Sequence, residues 1–258
     1  MKLYFKYLKL HWKAMLQYKA SFILSFISQF FIFFSYYFVI IALFDKFSNI
    51  KGFTLYEVLL TFGIIQFGFS FVEVFARGID RFDRQIINGS FDLLLLRPRN
   101  TFLQAMAHEI DYVKLSRLFQ SIVVLFIALY NLSISWNILR IICLILMLIS
   151  SICVFLGLFI LAASYCFITV QGLEVRNVFT YGGKHMAQYP IGVFKKGFML
   201  FFTVVIPYAF VNYYPLLYFV GKESNPLYGL TPLIVFLYVI PCFLVFKAGM
   251  KRYASTGS

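Results

Sequence analysis

Apolar residues fall along the chain in six long blocks separated by short polar stretches. The blocks cover about 20–44, 54–76, 117–136, 141–168, 197–218 and 228–246. Each is close to the roughly 20 residues that an α-helix needs to cross a bilayer. The pattern predicts an all-α membrane protein of six transmembrane helices, folded as one domain over 1–258. The fourth block is long enough to tilt or to project beyond the bilayer. Pro207 and Pro215 interrupt the fifth block, and Pro232 and Pro241 fall in the sixth. The apolar, Tyr- and Pro-rich stretch 211–225 is expected to dip into or lie on the outer leaflet, packed against protein.

Residues 1–19 follow a different period. Lys2, Lys6, Lys9 and Lys13 form one helical stripe, and Phe5, Leu8, Trp12 and Met15 a second. This is the pattern of a basic amphipathic helix lying in the interface, with lysines toward anionic lipid headgroups. The apolar run behind it exceeds a signal-peptide core and has no small-residue cleavage site, so the segment is expected to stay attached.

Composition supports the membrane reading. Of 258 residues, 62% are hydrophobic and 13% charged, against about 25% charged in a soluble domain. The net charge of +13 would suggest nucleic acid in a soluble protein. Here no soluble basic domain exists to bind it. Of the 23 Lys and Arg, 19 fall in residues 1–19, 77–117, 176–196 and the tail. By the positive-inside rule those segments, and both termini, are cytoplasmic. The stretch 171–196, broken by Gly172, Gly182, Gly183 and Pro190, reads as a second cytoplasmic connection.

The richest polar stretch is 77–100. Phe75, Ile79, Phe82 and Ile86 share one helical face. Glu73–Arg77 and Asp80–Arg84 are i, i+4 pairs. Gly89 is a natural helix stop. Ser90 is placed to cap a second helix with Asp92 in its first turn, and Arg97 before Pro98 closes the element. Two short helices joined at Gly89-Ser90 are predicted. The run Leu93–Leu94–Leu95–Leu96 is too short to span and needs a surface to bury against.

The string Gly89-Ser90-Phe91-Asp92-Leu93-Leu94-Leu95-Leu96-Arg97-Pro98 resembles the G-x-[LF]-D-x-L-L-x-[RK]-P signature of ABC-2 type transporter permeases. Tyr189-Pro190-Ile191, Ile206-Pro207-Tyr208-Ala209-Phe210 and Tyr214-Pro215 agree in order and topology. The resemblance implies the membrane subunit of a bacterial ABC exporter in the cytoplasmic membrane. It implies a coupling helix within 77–98 that seats on a cytoplasmic ATPase, present in two copies, and a second permease, identical or related. On this reading Phe82, Arg84, Gly89, Phe91, Asp92, Leu94, Arg97 and Pro98 serve ATPase coupling. The chain lacks the G-x-x-x-x-G-K-[ST] phosphate loop. The resemblance therefore places ATP and Mg on the partner chain, with no cofactor on this one.

Rival readings are an ion-coupled transporter and a membrane scaffold. Ion-coupled transporters place ionisable groups inside spans. Here Glu57, Glu73, Arg117 and Arg140 lie near span ends, where they are expected to reach headgroups. Enzymatic chemistry lacks its motifs. His108-Glu109 is not followed by a second His at zinc-protease spacing, and no G-x-S-x-G string occurs. Cys143, Cys153, Cys166 and Cys242 show no C-x-x-C spacing, and no metal site is predicted. The mid-membrane polar residues Thr61, Gln66 and Ser70 of the second span, with Thr203, Pro207, Tyr208 and Asn212 of the fifth, are candidates to line a translocation path.

Overall fold

The computed structural model describes residues 2–169 and 177–254, and those residues are helical with no strand element. Helix α1 is Lys2–Leu16, α2 Lys19–Lys46 and α3 Leu55–Phe75. Four short helices follow: α4 Arg77–Asp80, α5 Phe82–Ile87, α6 Ser90–Leu95 and α7 Thr101–Ala107. Helices α8 (Leu115–Asn131) and α9 (Ile138–Thr169) are long. Beyond the break come α10 Gly183–Ala187, α11 Lys196–Val204, α12 Ala209–Asn212, α13 Tyr214–Phe219, α14 Pro226–Leu230 and α15 Leu233–Arg252.

Five helical stretches are long and apolar enough to cross a membrane, or six if the bent pair α11 and α12–α13 counts as one. This agrees with the pattern of apolar blocks. The pair bends by 95°. Pro207 sits in the break and has no N–H to continue the helix. Pro215, the other expected interruption, opens α13 instead, where a missing N–H is tolerated.

Helix α3 is the axis of the core. It packs against α8 and α9, and α9 packs against α15. Its start is held by Glu57, whose Oε2 accepts the Thr54 N–H at 2.7 Å. Gly68 lets α3 approach α9 closely: a Cβ there would lie 2.5 Å from the Ser151 backbone carbon. The 32 residues of α9 extend about 48 Å at 1.5 Å per residue. That exceeds a hydrocarbon core of roughly 30 Å, and its end meets the short helices of the 77–100 region through Phe167.

The stretch 171–196, expected as a cytoplasmic connection, lies outside the described residues up to 176. From Val178 onward it packs along α3 in the antiparallel sense. Tyr181 meets Glu73, Lys184 lies over Phe69, and Gln188 bonds Gln66 and Thr61. Gly192 abuts the Tyr213 ring, which packs against Phe53 before the start of α3. A π-helical turn over Val178–Gly182, then α10, then a 3-10 turn over Ile191–Val193 make up this path. The Tyr- and Pro-rich stretch after Val211 is packed against protein as expected, with Val211, Asn212, Pro215, Leu216 and Phe219 buried.

Candidate coupling elbow and buried charge network

Helices α4–α7 form an elbow at one end of the bundle. Two short helices join at Gly89, as the pattern predicts. Gly89 occupies the N-cap of α6 with φ of +63°, a conformation that glycine adopts without a Cβ penalty. Ser90 is not the cap. It is the first residue of α6, and its hydroxyl donates back to the Gln85 carbonyl at 3.3 Å. The left-handed turn leaves the capping position to the residue before it.

One face of the elbow is an aromatic wedge. The Phe82 ring centroid lies 4.9 Å from Phe91, 5.2 Å from Phe167 of α9 and 5.6 Å from Phe246 of α15. Phe91 packs on Tyr253 at 5.3 Å. Phe82, Phe91, Ile79, Ile86 and Leu94 are buried. The opposite face is apolar but open: Leu93 is 58% exposed, Leu95 42% and Leu96 81%. The elbow is thus nailed to α9 and α15 on its inner side and presents leucines on its outer side.

Polar contacts fix its orientation. The Gln85 side-chain amide donates to the Gly78 carbonyl at 2.6 Å and to the Ala105 carbonyl at 3.1 Å, joining α4, α5 and α7. Asn100 caps α7 by accepting the Leu103 N–H at 3.0 Å. Arg81 pairs with Glu109 at 2.7 Å. Asp92 lies in the first turn of α6, where the helix dipole favours a carboxylate. Burial, and then the Asp92 carboxylate beside it, push the Tyr253 hydroxyl up to about 12. Arg97 reaches Tyr7 of α1 at 3.4 Å. Arg84 and Pro98 are exposed.

Beside the elbow lies a network of buried charges. Glu73 accepts from Arg117 of α8 at 2.7 Å, from Arg77 at 3.4 Å and from the Tyr181 hydroxyl at 3.3 Å. Arg77 also pairs with Asp80 and donates to Tyr181 at 3.0 Å. Arg117 continues to Gln29 of α2. Glu73 and Asp80 are buried to 1% and 3% exposure. Burial pulls the Arg77 guanidinium down, but Asp80, then Tyr181 and Glu73, outweigh it and hold the group above its ordinary value. Such a set is costly to desolvate and very costly to leave half-paired.

Two expectations are corrected here. Asp80 does not pair with Arg84. It turns inward to Arg77, because α4 ends at Asp80 and the chain bends before α5, so i, i+4 geometry does not carry across. Glu73 and Arg117 do not reach for headgroups. They neutralise each other inside the protein. Glu57 is likewise buried and pairs with Lys222 at 2.5 Å. Arg140 stays near its helix end, bonded to the Ser135 carbonyl at 2.6 Å.

A family model described as ABC-2 family transporter protein matches residues 30–257. The chain belongs to the ABC-2 transporter family. This makes it a membrane permease of an ABC transporter, a multi-pass membrane protein whose family associates with an ABC ATPase. No curated protein and no solved structure matches it.

In this permease the candidate path residues of α3 do not face an open cavity. Thr61 donates to the Gln188 carbonyl at 3.1 Å. Gln66 bonds both Gln188 and Ser70 at 3.2 Å. Asn212 donates to the Ala187 and Tyr189 carbonyls. Thr61 and Asn212 thus satisfy the irregular backbone around Gln188 that runs along α3, and Gln66 holds the Gln188 side chain. Thr203 is half-buried and bonds the Met199 carbonyl at 2.7 Å. Tyr208, directly after Pro207, is fully buried, and its hydroxyl has no hydrogen-bond partner among the described residues. Sequence reasoning missed Tyr181, Lys184 and Gln188 entirely. Their only signal was polar residues spaced 3 and 4 apart within a stretch otherwise read as a connection. Among the described residues no group of His, Cys, Asp and Glu is placed to hold a metal.

Proposed function

We propose that this permease serves an ABC exporter, forming the translocation path with a second permease and docking two cytoplasmic ATPase subunits through the α4–α7 elbow. ATP and Mg bind on the ATPase. Closure of the ATPase pushes on the open leucine face, Leu93, Leu95 and Leu96. Phe82 and Phe91 pass that displacement to α9 and α15, and the Glu73–Arg77–Arg117 network passes it to α3 and α8. For nucleotide to shift the membrane segments, the ATPase must bind one arrangement of them more tightly than the other. Both termini lie on the cytoplasmic side in this reading, and α1 rests in the interface with its lysines at anionic headgroups. The cytoplasmic membrane of a bacterium fits the family and the charge distribution.

The observation that supports this reading best is the two-faced elbow. Short helices with an aromatic inner face and three uncovered leucines need a partner surface outside the chain. The test is co-purification with the ATPase encoded nearest the gene. Wild type is expected to retain the ATPase and stimulate ATP hydrolysis. Asp92→Lys, and Ser in place of Leu93, Leu95 and Leu96, are expected to release it while staying monodisperse. A wild-type chain that holds no ATPase would sink the reading.

A further inference from the structure

A cavity of 420 Å³ opens on the side of the bundle between α9, α11, α15 and the π-helical turn. Its walls include Leu158, Tyr165, Phe179, Phe201, Val205 and Tyr238, and among the described residues no charged side chain lines it. Four of those six are aromatic and come from four different elements. Phe179 and Phe201 face each other in a stacked pair at 6.3 Å. The floor is the helix break. The Val205 N–H bonds the Phe201 carbonyl, and so does the Ile206 N–H. Pro207 has no N–H, and the Tyr208 N–H turns to the Ile206 carbonyl. The regular i+4 donors for the carbonyls of Phe202, Thr203 and Val204 are therefore all diverted or missing. This leaves the negative end of α11 uncompensated beside an aromatic-walled space, one of whose lining residues, Tyr238, has a hydroxyl without a hydrogen-bond partner among the described residues.

We propose that this cavity binds an amphipathic organic cation. Ring faces attract a delocalised positive charge, and the uncapped carbonyls add to that field. An anion would meet the same carbonyls with the wrong sign. The volume suits a ligand of a few rings, within the roughly 300–1,000 Å³ of small-molecule sites. Binding does not depend on ATPase docking. Only the use of the cation as transported cargo rests on the exporter reading.

The test uses the full chain in phosphatidylcholine nanodiscs, without ATPase, with empty nanodiscs as the blank. Tetraphenylphosphonium and tetraphenylborate, alike in size and opposite in charge, are titrated separately by calorimetry. The phosphonium is expected to bind saturably and at least about tenfold more tightly than the borate. Phe201→Leu, which keeps the apolar volume, should weaken the phosphonium by about tenfold through loss of a ring face. Val205→Trp and Ala162→Phe should each fill the cavity and remove the site, and both are checked for monodispersity first. Equal binding of the two ions would overturn the proposal and mark the cavity as a slot for a lipid chain. So would a phosphonium site that survives both filling variants, or no saturable binding at all. ATPase co-purification reports on the exporter reading separately, so the two failures are distinguishable.

Discussion

Helices α2 and α3 are both uncharged along their middles and nearly equal in mean hydropathy, yet they sit in opposite surroundings. The most apolar part of α2 is 6% buried within the protein and that of α3 is 83% buried. The difference shows in where the polar side chains find partners: on α2, Ser28 and Ser35 bond carbonyls of their own helix, and Gln29 meets Arg117 near the charge network. Helix α3 carries Glu57, Thr61, Gln66, Ser70 and Glu73, all buried and each with its side chain hydrogen-bonded or ion-paired. Over its uncovered length α2 presents Ile23, Leu24, Ile27, Phe31 and Phe38. Hydropathy alone says that a segment prefers oil to water. It does not separate lipid from protein as the neighbour, because both are apolar. Polar side chains do separate them, because an unsatisfied hydrogen-bonding group is far costlier against lipid than against a partner.

Breaking α3 at its charged end is expected to have the largest effect. Glu73→Leu strands Arg117 and Arg77 without their shared carboxylate. It should cost about 3–5 kcal/mol, seen as a large fall in the thermal midpoint in detergent. Gly68→Ala tests packing rather than charge. The added methyl meets the Ser151 backbone, so α3 and α9 must separate, at about 1–3 kcal/mol. The same assay reads both variants. Gln66→Leu removes one partner from Gln188 and Ser70 and should lower stability by about 1–2 kcal/mol. Its local signature is faster amide exchange around residues 187–190. At the other extreme, Phe31→Ala on α2 should stay within about 0.5 kcal/mol of wild type. A loss there as large as that of Gln66→Leu would mean that α2 is covered within the folded chain after all.

The parts of the fold that were legible in the sequence are those carried by local pattern. Apolar blocks predicted the long helices, and Pro207 marked the broken one. The spacing of Phe82 and Ile86, with Gly89 after them, predicted the two-helix elbow. What stayed hidden depends on contacts between distant residues. Glu73 and Arg117 stand 44 positions apart and Tyr181 and Glu73 stand 108 apart. No periodicity reports such pairs, so two charges that compensate each other looked like two that reach for water. The path of 178–193 was hidden for a related reason. It is built from π, α and 3-10 turns, none long enough to show a period, and where those turns break the carbonyls of Ala187, Gln188 and Tyr189 are met by Thr61 of α3 and by Asn212.

The central claim is that the elbow and the ends of α9 and α15 move as one body. Spin labels at Ile87 of α5, away from the docking leucines, and at Leu244, both on exposed positions, measure this in the complex with its ATPase. The account predicts that the distance between them stays the same with and without ATP in the wild-type background. It also predicts that Phe82→Ala, which removes the ring between Phe167 and Phe246, makes the distance nucleotide-dependent. A wild-type distance that already changes on ATP binding would contradict it, because the elbow would then be sliding on the spans rather than moving them.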